Sequence, residues 1–172
     1  MGEAHWPMKD LYAINEKQLK TRIRIWLALF MIGLALSGIT AFPIESELAF
    51  LAHHASASSI MGNWINTVYS AVKITNNNYP YLSYGTDWLA FGHLVIATAF
   101  IGPLKDPVKN IWVLQFGLIA CVMVFPLAFI AGPIRHIPFY WRLIDCSFGA
   151  LGLLPLSICY NYARTMEKLQ KG

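Results

Sequence analysis

Charged side chains are scarce in this sequence. Asp, Glu, Lys and Arg together make up only 13% of its 172 residues, about half of the roughly 25% that soluble domains carry. Hydrophobic residues account for 56%, and the mean hydropathy is +0.48. So few charges cannot cover the surface of a water-soluble fold. The composition therefore excludes a soluble globular domain and predicts a membrane protein, and the length favours a single domain.

Motifs that carry enzymatic or metal chemistry are also missing. The three cysteines, Cys121, Cys146 and Cys159, form no CxxC pair. There is no HExxH, HxxxH, nucleophile-elbow or glycine-rich phosphate-binding motif, so we predict no metal site. A haem between helices needs two histidines at matched depth, and only His93 falls inside a predicted span, so haem is not expected. The identity of any other cofactor stays open.

The basic residues outnumber the acidic ones, giving a net charge of +4. They form no patch of the kind that binds nucleic acid. They are scattered or adjoin apolar runs, as expected for residues that set membrane topology. Nucleic acid is therefore excluded as a partner. Membrane lipids are the expected partners, and other membrane subunits or a second copy of the chain are further candidates.

Four stretches are apolar over the roughly 17–25 residues that a helix needs to cross a bilayer. They predict an all-α integral membrane protein whose four transmembrane helices form an antiparallel bundle. The long segment between helices 1 and 2 is more polar, and its apolar residues follow the stripe of an amphipathic surface helix. The predicted bounds are about 24–43 for helix 1, 44–85 for the surface segment, 86–104 for helix 2, 110–132 for helix 3, 142–163 for helix 4 and 164–172 for a basic tail.

The stretch 48–72 competes as a fifth span, because it contains no Asp, Glu, Lys or Arg. Its many polar side chains, His53 and His54 among them, are unsuited to lipid. Cytoplasmic loops are enriched in Lys and Arg, and four spans put ten of these residues on the side of the termini against three outside, whereas five spans give eight against five. The three outside are Lys73, Arg135 and Arg142. We predict four spans, cytoplasmic termini and a bacterial inner membrane.

Under this topology the ionisable residues gather at the outer end of the helices. This outer group comprises Glu45, Glu47, His53, His54, Asp87, Arg135, His136, Arg142 and Asp145. His93 lies six residues after Asp87, and at about 1.5 Å per residue it is roughly 9 Å deeper along helix 2. The cluster predicts a polar pocket that opens toward the outer leaflet, with the surface segment folded over it.

The residue types in the cluster suggest two sets of roles. Arg135 and Arg142 can grip a phosphate or carboxylate through the planar guanidinium group. His93 is the expected acid or base, because an ionisable residue inside a span is costly and usually functional. The predicted ligand-binding set is Arg135, Arg142, His136, Glu45 and Glu47, and the predicted catalytic set is His93, Asp145 and Asp87.

Purely structural roles compete with these. Asp87 and Asp145 both fall near the start of a predicted helix, where the helix dipole favours an acid. Arg142 and Asp145 are three residues apart, so they share a helix face and can form a local ion pair. His93 can equally be a neutral histidine hydrogen-bonded to a neighbouring helix.

Three functions are compatible with these features. The first is a membrane protein whose outer pocket binds, or as an enzyme also transforms, a lipid or another amphipathic anionic ligand. The second is a structural or accessory subunit of a larger membrane complex. The third is an oligomeric small transporter, although the helices offer no continuous polar path. We favour the first, because the polar residues converge at one face.

Overall fold

The chain is built from helices. The structure is a computed structural model that describes residues 8–56 and 58–171, with side chains from residue 16 onward. No strand occurs among these residues. In chain order the helices are α1 (Met8–Ala41), α2 (Ile44–His54), α3 (Ile60–Asn78), a short 3-10 helix (Pro80–Leu82), α4 (Tyr84–Ala99), α5 (Ile101–Lys105), α6 (Ile111–Ile134) and α7 (Phe139–Lys171).

Four helical segments within the described residues are long and apolar enough to cross a membrane. They are Glu16–Ala41, Pro80–Lys105, Ile111–Ile134 and Phe139–Lys171. This finding confirms the all-helical class and the predicted number of membrane-length helices. Large apolar side chains such as Leu29, Leu127 and Leu151 are more than half exposed on these helices, which suits a protein whose surface meets lipid.

Two of these helices continue well beyond the predicted membrane segments. The helix α1 begins at Met8 rather than near residue 24, and α7 runs on to Lys171. Ion pairs one helical turn apart support these polar extensions in water. Glu16 pairs with Lys20 at 2.8 Å, and Glu167 pairs with Arg164 and Lys171 at 2.8 and 2.7 Å.

The stretch that competed as a fifth span is divided between α2 and α3. The chain leaves the helical path after His54, and Ser59 starts α3 by accepting a hydrogen bond from the Gly62 backbone N–H at 2.9 Å. A serine at this position satisfies one of the free N–H groups at a helix start. Neither α2 nor α3 is among the four segments able to cross a membrane.

The chain divides into two compact units. The first combines the part up to Met31 with the part from Ala99 onward, and the second is Ile32–Thr98. In the first unit a buried core joins α1 to α6 and α7 and includes the ring of Phe100, which meets Phe30 edge-on at 4.9 Å between centroids. The core residues are Ile23, Leu27, Phe100, Val113, Leu114, Cys121, Leu156, Cys159, Ala163 and Met166.

Glycines let α6 and α7 approach closely as an antiparallel pair. A methyl group on Gly149 would lie 2.6 Å from the backbone oxygen of Cys121, and one on Gly117 would lie 2.8 Å from Leu156. Small residues at such crossings allow the backbones to pack without lipid between them. This packing aligns the end of α6 with the start of α7, where the first candidate site lies.

Candidate functional site

The predicted site residues are divided between the two units. Arg135, His136, Arg142 and Asp145 belong to the first unit. The second unit contains the other four, namely Glu45, Glu47, Asp87 and His93.

A tight turn connects α6 to α7 in the first unit. His136 adopts the left-handed backbone conformation, with φ 57°. Its N–H donates to the Pro133 carbonyl at 3.1 Å, and the Ile137 N–H donates to the Gly132 carbonyl at 2.9 Å. These bonds form the Schellman pattern that ends many helices, usually with glycine in the position of His136. The turn leaves the side chains of Arg135 and His136 exposed.

The side chain of Arg142 lies across the bare backbone of Gly132. A methyl group on Gly132 would come within 2.4 Å of the Arg142 Cδ atom, so only glycine leaves space for this path. The guanidinium carbon lies 5.3 Å from the centre of the Phe139 ring, within the range of a cation–π contact. The Nε atom of Arg142 is buried and donates no hydrogen bond to any described residue.

A groove of about 260 Å³ opens beside this arginine. Arg135, Arg142 and Asp145 contribute its polar side chains. Its apolar wall is formed by Val124, Leu127, Ala128, Ala131, Gly132 and Ile137. The ion pairs among the described residues do not include Arg142 with Asp145, so the local pair that the spacing permitted is not formed. The groove combines an unpaired cation, a carboxylate and an apolar wall, and can therefore hold an amphipathic anion.

Glu45 in the second unit serves as a link between helices. Its carboxylate accepts a hydrogen bond from the Asn76 side chain at 2.5 Å, and the oxygen of that amide accepts one from the Ser83 hydroxyl. This chain of bonds ties α2 to the end of α3 and to the residue before α4. Glu47 is exposed on α2, in the first turn where the helix dipole favours an acid.

His93 is held tightly from two directions. Its Nδ1–H donates to the Leu89 carbonyl one turn earlier, at 2.8 Å. A methyl group on Gly38 of α1 would lie 2.9 Å from the His93 Cβ atom, so the glycine permits the contact. Because a carbonyl oxygen can only accept, Nδ1 is the donor in this hydrogen bond.

Asp87 lies in the first turn of α4. It lines a second groove, of about 300 Å³, together with Phe42, Tyr84, Trp88 and Phe91. His93 does not line this groove.

Metal-binding clusters are not found in the described part of the chain, where no three His, Cys, Asp or Glu side chains lie together. The three cysteines are buried and unbonded to one another. Cys159 donates a weak hydrogen bond to the Ile23 carbonyl at 3.6 Å. Their burial among apolar side chains fits a packing role.

No family model, curated protein or solved structure matches this chain. The chemistry of the two grooves therefore has to be inferred from their own residues.

Several residues of these grooves were not identified from the sequence. Gly132 and Phe139 position Arg142, and Phe42, Tyr84 and Phe91 line the groove of Asp87. The sequence could have indicated the aromatic lining, because Tyr84, Trp88 and Phe91 recur at the spacing of one helix face. The importance of Gly132 could not be found from spacing alone, since it depends on the path of a side chain on the next helix.

Proposed function

We propose that this chain is an integral membrane protein that binds the anionic head group of a lipid or related amphipathic molecule between α6 and α7. The four membrane-length helices cross the bilayer as a bundle, with both termini in the cytoplasm. The host membrane is a bacterial inner membrane. The excess of Lys and Arg on the side of the termini supports this orientation, and it places the groove at the outer leaflet.

One observation carries the binding proposal. The Nε atom of Arg142 is buried beside the groove without a hydrogen-bond acceptor among the described residues. A buried donor without a partner costs about 1–3 kcal/mol, and more when the group is charged. A phosphate or carboxylate entering the groove would accept this hydrogen bond and neutralise the guanidinium group at once.

The rest of the groove suits the other parts of an amphipathic molecule. The exposed Arg135 adds a second positive charge at the entrance. The Asp145 carboxylate can accept a hydrogen bond from a hydroxyl or ammonium group of the same head group. Leu127, Ala131 and Ile137 offer apolar contact to the first carbons of a chain. The volume is near the lower end of the roughly 300–1,000 Å³ typical of ligand pockets, which fits a head group better than a whole lipid.

Native mass spectrometry of the protein, purified in a maltoside detergent and titrated with phosphatidylglycerol, tests this proposal. The Arg142→Gln variant removes the charge and the buried donor. We expect it to bind the lipid about tenfold more weakly, equivalent to 1.4 kcal/mol. Arg164→Gln is the matched control, because Arg164 lies on the same helix but pairs with Glu167 at 2.8 Å. Equal retention of lipid by the two variants would contradict the proposal.

A second candidate function is that of an accessory subunit in a larger membrane complex. The observation that favours it lies on α4, where a methyl group on Gly85 or Gly92 would meet no atom within 4 Å. Glycines with open space beside them on a membrane helix let a partner helix approach closely. Gentle solubilisation followed by affinity purification tests this function. A stoichiometric partner that is lost in a Gly85→Leu, Gly92→Leu variant would support it, and a monodisperse single chain would count against it.

A further inference from the structure

The groove around Asp87 is lined mainly by aromatic rings. Tyr84 and Trp88 stand nearly perpendicular, at 80°, with ring centres 6.0 Å apart. Trp88 and Phe91 are 5.9 Å apart at 86°. Phe42, just after the end of α1, completes the lining of the groove. The rings of Tyr84, Trp88 and Phe91 therefore line the groove in different orientations.

The carboxylate of Asp87 is the one charged group in this aromatic groove. Among the described residues, no hydrogen bond or ion pair engages its side chain. The backbone N–H of Asp87 donates a hydrogen bond to the Ser83 carbonyl at 3.1 Å. The groove thus presents a negative charge without a partner, next to rings whose faces are also electronegative.

The surrounding unit reinforces this negative character. Residues 32–98 contain the acids Glu45, Glu47 and Asp87 but a single Lys or Arg, namely Lys73. The Nζ atom of Lys73 lies 5.6 Å from the centre of the Tyr69 ring on its own helix. Although the whole chain is positively charged, this part of it therefore attracts cations.

We propose that the groove of Phe42, Tyr84, Asp87, Trp88 and Phe91 is a binding site for an organic cation bearing a quaternary ammonium group. Aromatic faces attract such a group without the hydrogen bonds that a primary amine would require. The Asp87 carboxylate balances the charge. This site belongs to the second unit and does not depend on the anion site of the first. The cation can be a free small molecule or the choline head group of a phospholipid, since both present the same chemistry.

Choline and its uncharged isostere 3,3-dimethylbutan-1-ol are the probes that test the charge. Each is titrated by isothermal calorimetry into the full chain in a maltoside detergent, and phosphatidylcholine and phosphatidylglycerol are compared in nanodiscs. We expect choline or phosphatidylcholine to bind at least about tenfold more tightly than the uncharged isostere or phosphatidylglycerol. Binding of free choline identifies a small-molecule source, and binding of phosphatidylcholine alone identifies a lipid source. The absence of binding by both cations overturns the proposal.

Variants of the lining separate the site from nonspecific effects. Trp88→Leu removes the central ring and should weaken cation binding about tenfold, whereas Trp112→Leu on α6 removes an equally exposed tryptophan and should not. Asp87→Asn should weaken binding, and Asp87→Glu should restore most of it even if the amide variant folds poorly. Arg142→Gln should leave cation binding unchanged, which distinguishes this site from the anion site. Equal binding by the Trp88 and Trp112 variants would overturn the proposal.

Discussion

At the scale of single residues, the anion site depends on the contact between Arg142 and Gly132. The arginine stem occupies the space that any side chain at position 132 would need, and its guanidinium group reaches the Phe139 ring. This path explains how Arg142 can be half-buried at the end of a membrane helix. The hydrocarbon part of the side chain packs on the neighbouring helix while the charged end faces the groove.

Replacing Gly132 by alanine should disturb the anion site without touching the ligand-binding groups. The new methyl group would overlap the Arg142 Cδ atom and force the guanidinium group to move. We expect a loss of about 1–3 kcal/mol in stability from overpacking and weaker phosphatidylglycerol binding in native mass spectrometry. Gly33→Ala is the control, because a methyl group on Gly33 would meet no atom within 4 Å. Unchanged lipid binding by Gly132→Ala would contradict the assigned path of Arg142.

His136 offers a test that separates stability from ligand binding. It holds the left-handed conformation at the end of α6, which costs a residue with a side chain roughly 1–2 kcal/mol. His136→Gly should therefore raise the thermal unfolding temperature of the detergent-solubilised protein. If His136 also contacts the ligand, as the sequence predicts, the same variant should bind phosphatidylglycerol more weakly. A lower unfolding temperature would show that the histidine side chain stabilises the turn.

The sequence predicts some of these residue-scale features and misses others. Their spacing of three residues identified Arg142 and Asp145 as neighbours on one helix face, and both line the groove. Their ion pair was a fair expectation from spacing, but the structure directs Arg142 toward Gly132 and Phe139 instead. Spacing within one helix cannot reveal which residue of another helix leaves room for a side chain.

At the scale of helices, the region between α1 and α4 is joined by polar side chains. Glu45, Asn76 and Ser83 form a hydrogen-bonded chain that links α2, α3 and the residue before α4. The sequence predicts a ligand-binding role for Glu45. The hydrogen bond to Asn76 supplies a structural reason for an acid at this position.

Asn76→Ala should loosen α2 from α3. It leaves the half-buried Glu45 carboxylate without its donor, at a cost of about 1–3 kcal/mol. Faster hydrogen exchange across Ile44–His54 and Ile60–Asn78 is the expected result. Asn78→Ala provides the matched control, because the Asn78 side chain bonds only to Ile74 in its own helix. Equal exchange rates in the two variants would show that the Asn76 bond does not hold the helices together.

Glycine positions show how far helix packing can be predicted. Small residues on a membrane helix allow close packing, and both Gly149 and Gly152 approach Cys121 of α6. A methyl group on Gly33 would instead meet open space, while Gly38 contacts α4. A small residue permits a close approach, but the rotation of the helix about its axis decides which small residue faces the neighbouring helix.

At the scale of the whole molecule, four membrane-length helices were predictable because hydropathy and length are strong signals. The extents of α1 and α7 were not, because their charged ends lower the hydropathy that marks a span, although Ile23 and Met166 there join the core and ion pairs link successive turns. The distribution of Lys and Arg supports the proposed orientation in the membrane.

Single cysteines report that orientation directly. The native cysteines are buried, so their background labelling by a membrane-impermeant maleimide should be low. With the protein in a bacterial inner membrane, Lys73→Cys should react in intact spheroplasts, and Lys168→Cys should react only after lysis. The reverse pattern would place both grooves at the cytoplasmic side and contradict the proposed topology.

The proposed anion site between α6 and α7 is tested most sharply by locating a bound anionic lipid on the chain. A phosphatidylglycerol analogue with a photoreactive diazirine near its head group is crosslinked to the protein in nanodiscs, and the adducts are mapped by peptide mass spectrometry. We predict adducts concentrated at Leu127, Ala131 and Ile137, and their loss in Arg142→Gln but not in Arg164→Gln. Adducts spread evenly over exposed apolar residues such as Ile119 and Leu151, and unaffected by Arg142→Gln, would contradict a binding site between α6 and α7.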